Sequence, residues 1–341
     1  MSPSTTSHRV QDALLDFAWS QWAQLGIFAG TDRRDGWTQD PEALIVFTLH
    51  VARRDPRLFD ELLDWLRLNG RLVSGRRLVT ICPAQDPDRA VLEATVAWAH
   101  AHGAALQITA GHTAPSAAEP LFPGVRARKP DPIFEAHGLL KPVTEPSRKS
   151  REPDVEAPIN LAFRLRLHFG LGSSRADVVR FLLTSRAPDA DALSIADAAL
   201  FAKRNVNETL AALVAAGEVR RYARGNQGRY ALDRDRWAAF LDLDVESIPT
   251  YVDWPRVLSV TREIDRWLAD PRLDDLSDYM RSSEARALVD RLERPLGHLG
   301  IMVPPASGPD FWPAFEETVA RVLERIAPVA RAGSPRAAQH A

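Results

Sequence analysis

Between Ser173 and Leu232 the hydrophobic period of this chain changes from helical to alternating, with a turn signal at each boundary. That order leaves few folds open. Arg175-Ala-Asp-Val-Val-Arg-Phe-Leu-Leu is apolar at helical spacing and runs into a loop holding Pro188. A second short helix is expected from Ser194, a favourable N-cap, with Ile195, Ala198, Ala199 and Leu200 on it. A third starts at Lys203, carries Val206, Leu210, Leu213 and Val214 on one face, and stops at Gly217. Val219-Arg-Arg-Tyr-Ala-Arg and Arg229-Tyr-Ala-Leu then read as two strands around a Gly225-Asn-Gln-Gly tip.

The early, polar face of the third helix carries Lys203, Arg204, Asn205, Asn207 and Thr209. Arg suits guanine edges, Asn suits adenine, and Lys and Thr suit the backbone. The hairpin adds Arg220, Arg221, Arg224 and Arg229. From Arg175 to Arg229 there are nine Lys/Arg against six Asp/Glu, while the whole chain carries −2. Basic charge is therefore local. The stretch Lys203-Arg-Asn-Val-Asn-Glu-Thr-Leu-Ala-Ala-Leu-Val-Ala-Ala-Gly-Glu-Val-Arg-Arg resembles the helix-three-into-wing pattern of winged helix-turn-helix transcription regulators. The resemblance covers about a fifth of the chain. It implies a sequence-specific DNA-binding regulator, with Lys203, Arg204, Asn205 and Asn207 in the major groove and the wing arginines on phosphates or in the minor groove. A homodimer on double-stranded DNA is the expected assembly. The alternative is a protein–protein interaction module that docks through the same fold, such as an antitoxin-like or accessory partner of an enzyme.

The expected fold class is mainly α with a small β-hairpin wing: a central winged helix-turn-helix flanked by N-terminal and C-terminal helical domains. Residues 8–112 read as the N-terminal helical domain. Val10, Leu14, Phe17, Ala18 and Gln21 mark an amphipathic helix broken at Gly26, and Asp40-Pro41, Asp55-Pro56 and Asp86-Pro87 each signal a helix start. Leu72-Val73 and Leu78-Val-Thr-Ile81 flank Ser74-Gly-Arg-Arg77, which reads either as the hairpin of a second, degenerate winged helix or as a packed loop. Residues 113–158 hold prolines at 115, 120, 123, 130, 132, 142, 146, 153 and 158 and read as a linker with little to bury, its one apolar element at 133–140. Arg148, Lys149 and Arg151 in it are basic, as on a solvated surface. Residues 159–236 form the winged unit, led by an apolar helix from Ile159 to Phe169.

Residues 237–328 read as an acidic helical domain, with helices opened by Pro255, by Ser283 and by Phe311, and 329–341 as a disordered tail. From Trp237 to the end there are twelve basic and seventeen acidic residues, a surface that suits a basic protein partner rather than DNA.

Several chemistries are weakly supported. Gly172-Ser173 with Asp189-Ala-Asp191 has the outline of a nucleotidyltransferase signature, but that chemistry puts the Asp pair on a strand and here it reads as a loop before a helix cap. Asp242-Leu-Asp244 is a second Asp-x-Asp, read as a loop after a helix. His100, His102 and His112 lack the tight paired spacing of zinc ligands. No phosphate-binding or nucleophile-elbow motif occurs. No catalytic residue, metal or cofactor is therefore expected. The single cysteine, Cys82, rules out an intrachain disulfide and fits a reducing cytoplasm. Met1 to His8 is polar, unlike a secretory signal, and no apolar run is long enough to span a membrane. The nine tryptophans read as core anchors.

Overall fold

The computed structural model describes residues 3–28, 39–108 and 117–327. Trp37, His112, Pro115 and the tail at 329–341 lie outside them. Helix α1 (Pro3–Gln24) buries Val10, Leu14, Phe17 and Trp22 and gives way to Gly26 at φ 96°. Helices α2 (Pro41–Val51) and α3 (Pro56–Asn69) start where the Asp-Pro pairs place them: the Asp40 and Asp55 carboxylates accept first-turn N–H groups, and proline occupies the first helical position. Every residue of α2 is buried, so it is the central helix.

The stretch after α3 departs from both expectations for it. Residues Gly75–Ile81 form helix α4, neither a hairpin nor a loop. Ser74 caps it by accepting the N–H of Arg77, and Gly75 is required because a Cβ there would lie 2.2 Å from the Gln107 carbonyl oxygen. Helix α5 (Arg89–Ala101) begins three residues beyond its Asp-Pro signal, because Asp86 accepts the N–H of Asp88 and both carboxylates then bind arginines from a later helix.

The proline-rich segment is not a spacer. Strand β1 (Glu119–Pro120), helix α6 (Pro132–Ala136) and strand β2 (Leu139–Leu140) form a small unit in which β1 and β2 pair in parallel, and Leu121, Phe122, Phe134 and Leu139 join the main core. Beyond it the chain is strapped down by side chains. Asp64 accepts the N–H groups of Lys149 (3.1 Å) and Ser150 (3.2 Å), Asn69 donates to the Arg151 carbonyl (3.0 Å), and Arg151 N–H bonds Gly26 (2.9 Å). Prolines remove competing backbone donors here, so a few anchors suffice.

The remaining elements are α7 (Leu161–Phe169), α8 (Ser174–Thr184), β3 (Ala190–Asp191), α9 (Ala192–Ala199), α10 (Lys203–Ala215), β4 (Val219–Arg224), β5 (Gln227–Leu232), α11 (Arg234–Phe240), α12 (Trp254–Leu268), α13 (Arg272–Asp275), α14 (Asp278–His298) and α15 (Phe311–Glu324). Helix α14 starts at its cap Ser277, so Ser283 sits within it rather than opening it. The chain is thus mainly helical with a small antiparallel sheet of order β3-β5-β4. No helix among the described residues is long and apolar enough to cross a membrane.

Two cores result. One joins α1–α6 to α12, α14 and α15, so the N-terminal and C-terminal helical regions are a single body; α12 lies on α1 and α2, with the Phe17 and Trp254 rings 5.3 Å apart. The other belongs to residues 161–248, with Leu183, Ile195, Val206, Leu210 and Trp237 at its centre. Helix α7 serves both, with Phe163 in the first core and Leu161 and Leu165 in the second.

Six buried charges bind the two cores together. Glu42 accepts both guanidinium nitrogens of Arg166 (2.7 and 2.8 Å), Arg77 Nε (3.1 Å) and the Ser74 N–H (2.7 Å). Asp40 pairs with Arg77 and Arg180, and Asp177 lies 3.3 Å from Arg180. Three carboxylates balance three arginines, which a junction this deeply buried requires. A second set, the buried Asp88, Asp265, His50 and Arg262 with the half-buried Arg54 and Arg266, ties α2 and α5 to α12.

Burial opposes ionisation of Asp40 and Asp88, but Arg77 and Arg180 on the first, and His50, Arg262 and Arg266 on the second, outweigh it and hold each carboxyl at about 2, against an ordinary 3.8. A carboxyl depressed in the folded state contributes stability above its unfolded pKa and loses it as pH falls through the folded one. Unfolding followed by circular dichroism should therefore be insensitive to these groups above pH ~4 and set in between about 4 and 2. Onset above pH ~5 would assign acid lability to other groups.

Candidate nucleic-acid interface

Helices α8, α9 and α10 form a three-helix cluster closed by the three-stranded sheet. Ser173 caps α8, and Asp191, not Ser194, caps α9 by accepting the N–H groups of Leu193 and Ser194 (both 2.9 Å). Leu200 ends α9 in the left-handed region at φ 57°, which turns the chain sharply into α10. Ile195, Ala199, Val206, Leu210 and Leu213 fix the two helices against α8. The first turn of α10 has no side-chain cap, so its N–H groups remain as donors.

Lys203, Arg204 and Asn207 are exposed and Asn205 is half-buried on the outer side of this turn. Arg204 is 88% exposed and its one ion pair among the described residues is with Glu208 on the next turn, 3.0 Å away, a contact weak enough to exchange for another anion. Thr209 is placed differently from expectation. It is buried, and its hydroxyl shares a hydrogen bond with Ser174 (2.6 Å), so it joins α10 to α8 and is not offered to a ligand. The spacing Val206–Thr209–Leu213 already put it on the core stripe.

The hairpin is tighter than its glycines suggest. Arg224 pairs with Gln227, so the loop is Gly225-Asn226 alone, with Gly225 at φ 60° as the first position of a two-residue turn demands. Arg220, Arg221 and Arg224 are exposed and have no ion pair among the described residues. Arg229 is the second correction. It lies opposite Tyr222 in the register and bonds Asp189 through Nε (2.6 Å) and Asp191 through Nη1 (3.2 Å), so it staples β5 to β3 and is spent. The Tyr222 hydroxyl donates to the same Asp189, which with Arg229 holds that carboxyl below its usual range.

This also disposes of the Asp-x-Asp signature. The pair does border a strand, contrary to the loop reading, but both carboxylates are taken by Arg229, Tyr222 and the α9 cap. Elsewhere, His100 and His102 each bond a backbone carbonyl (both 2.8 Å), and the His102 ring stacks on Trp98. Among the described residues no three His, Cys, Asp or Glu side chains are grouped as metal ligands. Burial, with Asp86 nearby, pushes the Cys82 thiol up to about 12, which keeps it protonated and unreactive at neutral pH.

Two residues next to the site were not picked out by sequence. Arg175 and Arg76 line a small concavity with Asn205, and Arg76 comes from α4 of the helical body. Nothing local marks Arg76, since only the docking of the two cores brings it there. No protein-family model, no curated protein and no solved structure matches this chain.

Proposed function

We propose that residues 159–236 form a winged helix-turn-helix that binds double-stranded DNA and that the protein is a sequence-specific transcription regulator acting as a homodimer. The observation that carries this reading is the set of available cations on two neighbouring elements. Lys203 and Arg204 on the first turn of α10, and Arg220, Arg221 and Arg224 on the hairpin, are exposed, while Arg166, Arg180 and Arg229 of the same unit are engaged by carboxylates. An uncapped helix start flanked by such residues suits a major groove and its phosphates. Asn205 and Asn207 supply paired donors and acceptors for adenine edges. Thr209 and Arg229 are left out of the interface on the geometry above.

The test is binding of the full chain to the duplex upstream of its own gene and to a scrambled duplex, by fluorescence anisotropy over a salt series. Preference for the first, with log affinity falling steeply against log salt, is the expected result. Arg204→Ala should cost about 1–3 kcal/mol on the upstream duplex alone. The double variant Arg220→Ala/Arg224→Ala should weaken both duplexes and lower the salt slope by about two. Equal weak binding to both duplexes, unaffected by these changes, would leave protein docking as the use of this surface.

A further inference from the structure

We propose that the helical body itself grips DNA: Arg76 of α4 forms one wall of a seat for a backbone phosphate, and Arg175 and Asn205 of the inserted unit form the other. The proposal rests on the DNA-binding reading of α10 and the hairpin. A concavity of about 390 Å³ opens where α4, α8 and α10 meet, lined by Arg76, Ser173, Arg175, Phe201, Asn205 and Glu208 among others. Arg76 and Arg175 are exposed and make no ion pair among the described residues. Glu208, the one carboxylate among its described lining residues, pairs with Arg204 at 3.0 Å, so the seat sets two cations that have no ion pair of their own against a single carboxylate.

Arg76 is also held in place. Its guanidinium lies over the Phe201 ring, 4.8 Å from the centroid, a stacking that leaves the outer edge of the planar fork free. Its neighbour Arg77 is locked among Asp40, Glu42 and the Ala199 carbonyl, so α4 has little freedom relative to α9. A cation positioned in advance loses less entropy on meeting a phosphate. Asn205 belongs both to this seat and to the outer face of α10, so an anion held here neighbours the bases that α10 faces. That continuity selects a phosphate of the same duplex over a small free anion.

The experiment compares wild type, Arg76→Ala and Arg76→Lys as full-length proteins on the upstream duplex across a potassium chloride series, with thermal unfolding as a check on folding. Arg76→Ala should bind roughly tenfold more weakly and show a salt slope smaller by about 0.9, the value of one phosphate. Arg76→Lys should restore the slope, since the charge and not the stacking sets it. The proposal falls if Arg76→Ala keeps the wild-type slope while Arg204→Ala weakens binding, or if Arg76→Lys behaves as Arg76→Ala does. It also falls if inorganic phosphate binds saturably to wild type and not to Arg76→Ala with DNA binding unchanged. Failure of wild type to bind either duplex overturns the underlying reading and this one with it.

Discussion

Replacing Glu42 by glutamine should lower the unfolding free energy of this protein by about 3–5 kcal/mol, measured by urea denaturation of the full chain. Glu42 is fully buried and its two oxygens serve Arg166, Arg77 and the Ser74 N–H together. The amide has almost the same shape, so the loss is electrostatic. Three arginines then face two carboxylates in a buried region, and one N–H₂ group is pointed at guanidinium donors. The double variant Glu42→Gln/Arg166→Gln restores two charges of each sign and should cost less than the sum of its parts. A loss under ~1 kcal/mol for Glu42→Gln would mean that water reaches the junction and screens it.

Trp65→Ala should be comparably damaging, at about 3–5 kcal/mol for the cavity and lost contact area. Its ring is fully buried, edge-on to Trp22 at 5.1 Å and tilted against Phe163 at 6.3 Å, so one side chain holds α1, α3 and α7 together. It also donates to the Leu25 carbonyl (2.7 Å), the residue where the chain leaves α1. Trp65→Phe keeps most of the area and removes only that bond, and should recover more than half of the loss. Equal losses for the two variants would place the energy in the hydrogen bond rather than in packing.

What sequence reading caught and missed follows from the range of the forces involved. Asp40-Pro41 and Asp55-Pro56 predict their helices because a cap acts within three residues. The helix of Gly75–Ile81 was hidden behind Leu78-Val79-Thr80-Ile81, a β-rich string, because Arg77 is drawn in by carboxylates thirty-five and more residues earlier. The proline-rich segment looked unable to pack because its anchors, Asp64 and Asn69, lie about eighty residues away. At the candidate site, the exposed start of α10 follows from helix periodicity alone. Arg229 could not be excluded in the same way: its partner Asp189 faces it only once β3 pairs with β5.

The junction at Glu42 also bears on how such a chain can be rearranged. Cut free at 159–236, the inserted unit carries away Arg166, Arg180 and Asp177, two cations and one anion on a face built to stay dry. The body keeps the complement, Asp40 and Glu42 with Arg77. Neither half is neutral at its wound, so this unit is not a cassette to be lifted onto another scaffold. Replacing any one of the six junction residues alone unbalances the charge of the other five.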